Sequence, residues 1–133
     1  MVPRTRVPGK QHKERRKHRL LTNAEFMRVS GAVAEHFAVS VDQMREPGNQ
    51  TRPRHQITRQ VVMYICWNSY DVDQREVGER FGYPGAAVAK AVADTEADRD
   101  SRPDLDKFIT GVEDAIIQRR IDRATERDHT VKR

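Results

Sequence analysis

Ile57-Thr-Arg-Gln-Val-Val-Met-Tyr-Ile-Cys66, Arg75-Glu-Val-Gly-Glu-Arg-Phe-Gly82 and Ala86-Ala-Val-Ala-Lys-Ala-Val92 decide how this chain folds. Ile57, Val61 and Ile65 recur at helical spacing with Val62 and Cys66 beside them, so the first segment reads as a long core helix lasting to about Asn68. Asp73 stands three residues before Glu76, an N-cap signature, and opens a short helix that stops at Gly82 after Phe81. Pro84-Gly85 then makes a tight turn, from which a new helix runs to about Ala97. A core helix followed by helix, turn and helix reads as a helix-turn-helix unit.

Working outward, Thr22 to Glu25 is a capping-box pattern, and Phe26, Val29, Val33 and Phe37 follow at helical spacing. The first helix is expected over about Asn23 to Phe37. Ser40 with Gln43 repeats the capping logic for a short helix, Val41 to Met44, which Pro47-Gly48 ends. Asn49 to His55 reads as a loop carrying Arg52 and Arg54 around Pro53. Downstream, the acids of Asp94 to Asp106 and Pro103 suggest a solvated connector. Leu105, Phe108, Ile109, Val112 and Ile116 then mark a closing amphipathic helix whose apolar stripe fades after Arg119. No strand pattern or repeat is present in the sequence. The expectation is an all-α fold, a small helical bundle containing a helix-turn-helix, in three parts: a disordered basic arm over 1–21, a helical domain over 22–120 and a frayed charged tail over 121–133.

Composition narrows the function classes. In 133 residues, 34% charged and 36% hydrophobic, there is room for one modest core with polar ends. Charge is unevenly placed. Met1 to Thr22 holds Arg4, Arg6, Lys10, Lys13, Arg15, Arg16, Lys17 and Arg19 against Glu14 alone, so with a total of +5 the remainder is net acidic. Such an arm neutralises phosphates and releases counterions, although charge blocks are often only solvated tails.

Cys66, the single cysteine, lies inside the apolar run Val61 to Trp67 and reads as a buried structural thiol. Trp67 and Tyr70, at the end of that helix, read as core before protein-facing anchors. No stretch approaches the roughly 18 apolar residues of a membrane span, and no hydrophobic run follows the N-terminal charges as in a secretory signal. The expected location is cytoplasmic and nucleoid-associated. His12, His18, His36, His55 and His129 show no metal-ligand spacing, and no nucleophile or acid–base constellation is legible. Neither a cofactor, a metal nor an enzyme activity is expected.

From about Val33 to Arg119 the chain resembles the C-terminal DNA-binding domain of the bacterial replication initiator DnaA, which has a Trp-repressor-like fold. The resemblance rests on Val33-Ala-Glu-His-Phe-Ala-Val-Ser-Val41, Arg59-Gln-Val-Val-Met-Tyr-Ile-Cys66, Glu76-Val-Gly-Glu-Arg-Phe-Gly82, and Phe108 with Ile109. The initiator's ATPase has no counterpart, since the chain lacks a Gly-rich loop ending in Gly-Lys-Ser/Thr. The resemblance implies an all-helical module whose basic loop, here Arg52 and Arg54, leads to a minor-groove arginine at the position of Arg59. Read from its residues alone, Arg59 is one exposed charge on an amphipathic helix.

The departure lies at the recognition helix. The family's Arg-Asp-His-Thr-Thr signature is replaced by Tyr83-Pro-Gly-Ala-Ala87, without the groups that hydrogen-bond base edges. Two outcomes stay open. Ala86, Ala87 and Ala89 meet thymine methyl groups while Lys90 and Tyr83 reach bases or phosphates, or the small residues serve close helix packing instead. Arg127-Asp-His-Thr-Val131 echoes the missing signature near the C-terminus and is read as coincidence.

The expected function is double-stranded DNA binding, in transcription or replication control, by a monomer. Its candidate DNA-binding residues are Arg52, Arg54, His55, Arg59, Tyr83, Gly85, Ala86, Ala87 and Lys90, with Arg15, Arg16, Lys17 and Arg19 of the arm. Two rivals remain. One is a protein-interaction module that keeps the fold without base reading and binds RNA polymerase or a replication protein; the other is a nucleoid-type binder acting through charge alone.

Overall fold

The computed structural model describes residues 19–45 and 53–131, with side chains as far as Glu126. Among these residues lie six helices and no strand: α1 Asn23–His36, α2 Val41–Arg45, α3 Pro53–Tyr70, α4 Gln74–Phe81, α5 Gly85–Ser101 and α6 Pro103–Val131. The protein is a small all-α bundle. Seven consecutive residues of α3, Val61 to Trp67, are buried, and a helix apolar on all sides belongs at the centre of a bundle. Accordingly α3 packs against each of the other five helices. Cys66 is buried within that run and forms no disulfide.

The helix starts follow the capping chemistry. Thr22 Oγ1 accepts from Glu25 N–H at 3.1 Å and the Glu25 carboxylate accepts from Thr22 N–H at 3.0 Å, a closed capping box. Ser40 and Gln43 make the same reciprocal pair ahead of α2. Asp73 Oδ1 accepts from Glu76 N–H at 2.8 Å and starts α4. Each contact satisfies backbone N–H groups that a helix start leaves without partners.

Several boundaries differ from the sequence expectation. The loop placed over Asn49 to His55 ends earlier, because Pro53 opens α3 and puts Arg54 and His55 in its first turn; a proline there loses no helical hydrogen bond. Arg52 and Pro47-Gly48 fall outside the described residues. The packed domain begins before Thr22: Leu21 is 1% exposed, its N–H donates to the Glu76 carboxylate at 2.9 Å, and its carbonyl accepts from Arg80. At the other end the backbone stays helical to Val131, although every described side chain after Ile116 is exposed. The fading stripe therefore marks the end of packing rather than the end of the helix. His36 is exposed, with its ring stacked on Phe108 at 3.7 Å.

The acidic segment Asp94 to Asp106 is not a solvated connector. Helix α5 runs through it to Ser101, and only Arg102 separates α5 from α6. Asp100 and Asp104 are exposed, Asp94 pairs with Lys90 and Asp98 accepts from Gln60, while Asp106 pairs with Arg99, whose side chain is wholly buried. Its Nε donates to Asp106 at 2.6 Å, Nη1 to Glu113 at 3.2 Å and to Tyr64 Oη at 3.1 Å, and Nη2 to Thr110 at 2.9 Å. Tyr64 in turn donates to Glu96 at 2.7 Å, and Asn68 donates to Glu113 at 2.8 Å. Burial pulls the Arg99 pKa down, but Asp106, Glu113 and Tyr64 outweigh it and raise the net value. Burial and the Glu96 hydrogen bond push the Tyr64 phenol well above its ordinary range. Both groups hold their protons, so α3, α5 and α6 are joined by one charged, hydrogen-bonded network.

Candidate nucleic-acid interface

Helices α4 and α5 are joined by Gly82, Tyr83 and Pro84 alone. Gly82 ends α4 at φ 75°, the left-handed region that glycine adopts without penalty. Tyr83 N–H then donates to the Gly78 carbonyl at 2.9 Å, folding the turn back over α4. A Cβ built on Gly78 would collide with the Tyr83 carbonyl oxygen. Gly78 is thus required by the closeness of the turn.

The inner side of this unit is held by packing. Val77, Phe81 and Val88 are core residues, and Phe81 meets Phe26 edge-on at 5.4 Å. The guanidinium groups of Arg45 and Arg80 lie over the Phe26 ring at 5.2 and 5.7 Å, a geometry that favours cations. The start of α5 consequently has a fixed direction.

Its outer side is open. Pro84 is the N-cap of α5 and offers no side-chain hydrogen bond, and no acid stands in the first turn. Ala87 N–H donates back to the Pro84 carbonyl at 3.0 Å, and no side chain caps the N–H groups of Gly85 and Ala86; the positive end of a helix dipole is suited to a phosphate oxygen. Ala86 and Lys90 are exposed, whereas Gly85, Ala87 and Tyr83 are half-buried. Gly85 lies against α4, where a Cβ would be 3.7 Å from the Arg75 Cα.

Beside this face a groove of about 480 Å³ runs between α3 and α5, lined by Gln56, Arg59, Gln60, Tyr83, Ala87 and Lys90 among others. Four residues singled out from the sequence, Arg59, Tyr83, Ala87 and Lys90, therefore share one concavity. Gln56 and Gln60 were not singled out. Their only signal was their position flanking Arg59, at i−3 and i+1, on a helix read chiefly for its apolar stripe.

Arg59 is neither an exposed charge nor a freely extended one. It is 5% exposed, its Nε donates to the Met44 carbonyl at 3.0 Å, and its guanidinium lies over the Tyr83 ring at 5.4 Å. It ties the end of α2 to α3 and supports the α4–α5 turn from below. Lys90 extends into solvent, 77% exposed, and makes an i,i+4 ion pair with Asp94 at 2.8 Å. That hydrogen bond and the Asp94 charge raise its pKa, so Lys90 is a cation.

The remaining candidates fall elsewhere. Arg54 is exposed in the first turn of α3, while His55 beside it is 7% exposed with a buried Nδ1 that has no hydrogen-bond partner. Arg19 is not a free arm cation: it forms a two-pronged pair with Glu25, at 2.8 and 3.3 Å, and lies over the Tyr70 ring. Arg15, Arg16 and Lys17 lie outside the described residues. Among the described residues no three His, Cys, Asp or Glu side chains form a metal-binding group, and no helix is long and apolar enough to cross a membrane. No protein-family model matches the chain.

Proposed function

We propose that the protein binds double-stranded DNA through the α4–turn–α5 unit and acts as a regulator of transcription or replication. The observation that carries this reading is the rigid, glycine-braced turn that presents an uncapped, acid-free helix start beside a groove containing Arg59, Gln56 and Lys90. A recognition helix enters the major groove by its N-terminal residues, with helix N–H groups and cations on the phosphates. In this role Ala86 and Ala87 present methyl groups to thymine, Tyr83 and Lys90 contact backbone or base edges, and Arg54 adds phosphate contact from α3. Arg59 acts as a positioning residue through Tyr83. The basic N-terminal segment supplies affinity that is insensitive to sequence and falls with salt.

The test is selection by the full-length chain from a random duplex pool at physiological salt. An enriched motif whose preference over random DNA disappears in Ala86→Glu supports the proposal. Retention of random duplex alone, with steep salt dependence and indifference to Ala86→Glu, favours charge-only binding and refutes a reading helix.

A further inference from the structure

On the side of the bundle formed by α1 and α6 lies a second concavity that shares no lining residue with the α3–α5 groove. It is an apolar trench of about 380 Å³ whose walls include Val29, Ala32, Phe108, Val112 and Ile116. Through Arg28, Ile116 and Arg119 it continues into a pocket of about 320 Å³ that also carries Arg120 and Arg123. Across both, the single carboxylate among the lining residues is Glu25, which Arg19 already holds at 2.8 Å. The same helix exposes Ile117 and Ile121 beyond the trench, at 52% and 51%. An apolar channel with cationic edges has a defined complement.

The spacing inside α6 points the same way. Gly111 sits in the trench in the middle of a 29-residue helix, where glycine is unfavourable. Among the described residues nothing requires it, since a Cβ there meets no atom within 4 Å. The trench is open where another backbone would approach.

We infer that this surface docks an acidic amphipathic helix of a protein partner, with apolar side chains in the α1–α6 trench and carboxylates against Arg28, Arg119 and Arg123. Helix-in-groove recognition uses apolar anchors at i, i+3 or i+4 and i+7 in such a trench, and arginine forks match carboxylates. The chain's own undescribed segments lack this chemistry. Residues 1–18 carry seven Lys and Arg against one Glu, residues 46–52 hold one acid and one base within seven residues, and 132–133 are Lys and Arg. A nucleic acid suits the arginines but leaves the Phe108, Val112 and Ile116 wall without apolar contact. The inference does not depend on DNA binding by α5.

The experiment is selection of a displayed random 20-residue peptide library on the full-length protein, followed by affinity measurement with the synthetic winning peptide. Enriched peptides should carry Asp or Glu between apolar residues at helical spacing. Gly111→Glu, which fills empty space with a carboxylate and removes a helix-breaking residue, should weaken binding at least tenfold. The exposed pair Arg119→Glu/Arg123→Glu should do the same, and both variants should melt no lower than wild type, within about 3 °C, and keep duplex DNA affinity. Failure to enrich, enrichment of basic or uncharged peptides, or indifference to both variants overturns the inference. So does displacement of the peptide by duplex DNA together with loss of DNA affinity in Arg119→Glu/Arg123→Glu, because the surface would then belong to nucleic acid.

Discussion

At its start α5 presents Gly85, Ala86, Ala87 and Lys90, short or solvated side chains around a helix end without a side-chain cap; about four turns further on it buries Arg99 among Tyr64, Asp106, Thr110 and Glu113. One end gathers the Arg99 guanidinium onto partners inside the molecule, and the other has no side-chain cap. A buried guanidinium surrounded by carboxylates fixes the angle between α3, α5 and α6, because no other packing pairs all its charges. A helix start made of alanine and glycine fixes nothing by itself and is held in place by Phe81, Val88 and the Gly78–Tyr83 turn beneath it. Substitutions at the buried end are therefore expected to act on stability, and those at the open end on binding.

The largest effect is expected at Arg99. Arg99→Met removes the cation that Asp106 and Glu113 share in a largely buried setting, and breaking a buried ion pair from one side costs about 3–5 kcal/mol. Urea denaturation followed by circular dichroism should show a midpoint lowered by a large fraction of total stability, and an unchanged midpoint would mean the network carries no structural weight.

Next is Gly78→Ala, beneath the turn that carries the open end. The added methyl must displace the Tyr83 backbone, and overpacking of this kind costs about 1–3 kcal/mol. Because the displaced turn also aims α5, this variant alone should lose both stability and DNA affinity. Removal of the α4 cap by Asp73→Ala should cost about 1 kcal/mol while α5 keeps its direction. A parallel loss of DNA preference in Asp73→Ala would show that the turn is less rigid than its glycines indicate.

The smallest effect concerns pH. Burial opposes ionisation of Glu25, but hydrogen bonds from Arg19 and Thr22 prevail and hold its carboxyl below the ordinary value of 4.5. A carboxylate with a depressed folded pKa contributes stability above its unfolded pKa and loses it as pH falls through the folded value. Glu25→Gln should therefore be less stable than wild type at neutral pH, with the difference shrinking on acidification below about 4.5. A constant difference across that range would contradict the pairing with Arg19.

Much of this contrast was legible in the sequence, though unevenly. Capping boxes at Thr22 and Ser40, the cap at Asp73 and the stop at Gly82 are local signals, and the structure places helix ends within about a residue or two of them. Arg99 was hidden because its partners Asp106, Thr110 and Glu113 lie across the α5–α6 break at Arg102, where helical periodicity no longer predicts a shared face. The acids around it then read as solvated charge. Arg59 was singled out through the DnaA resemblance, but its burial was not foreseen, since nothing local announces that the Met44 carbonyl and Tyr83 ring converge on it. The trench between α1 and α6 joins residues about eighty positions apart and had no sequence signature.

On this reading the open start of α5 is a DNA-contacting face on a bundle held together elsewhere. The most direct test is the affinity of the double variant Ala86→Glu/Lys90→Glu for the duplex enriched by wild type, measured against random competitor DNA at physiological salt. Both side chains are exposed, so the melting temperature should move by no more than about 3 °C. Preference for the enriched duplex should fall at least tenfold while salt-dependent binding to random DNA persists. Preference equal to that of wild type would contradict this reading and move any DNA contact away from α5.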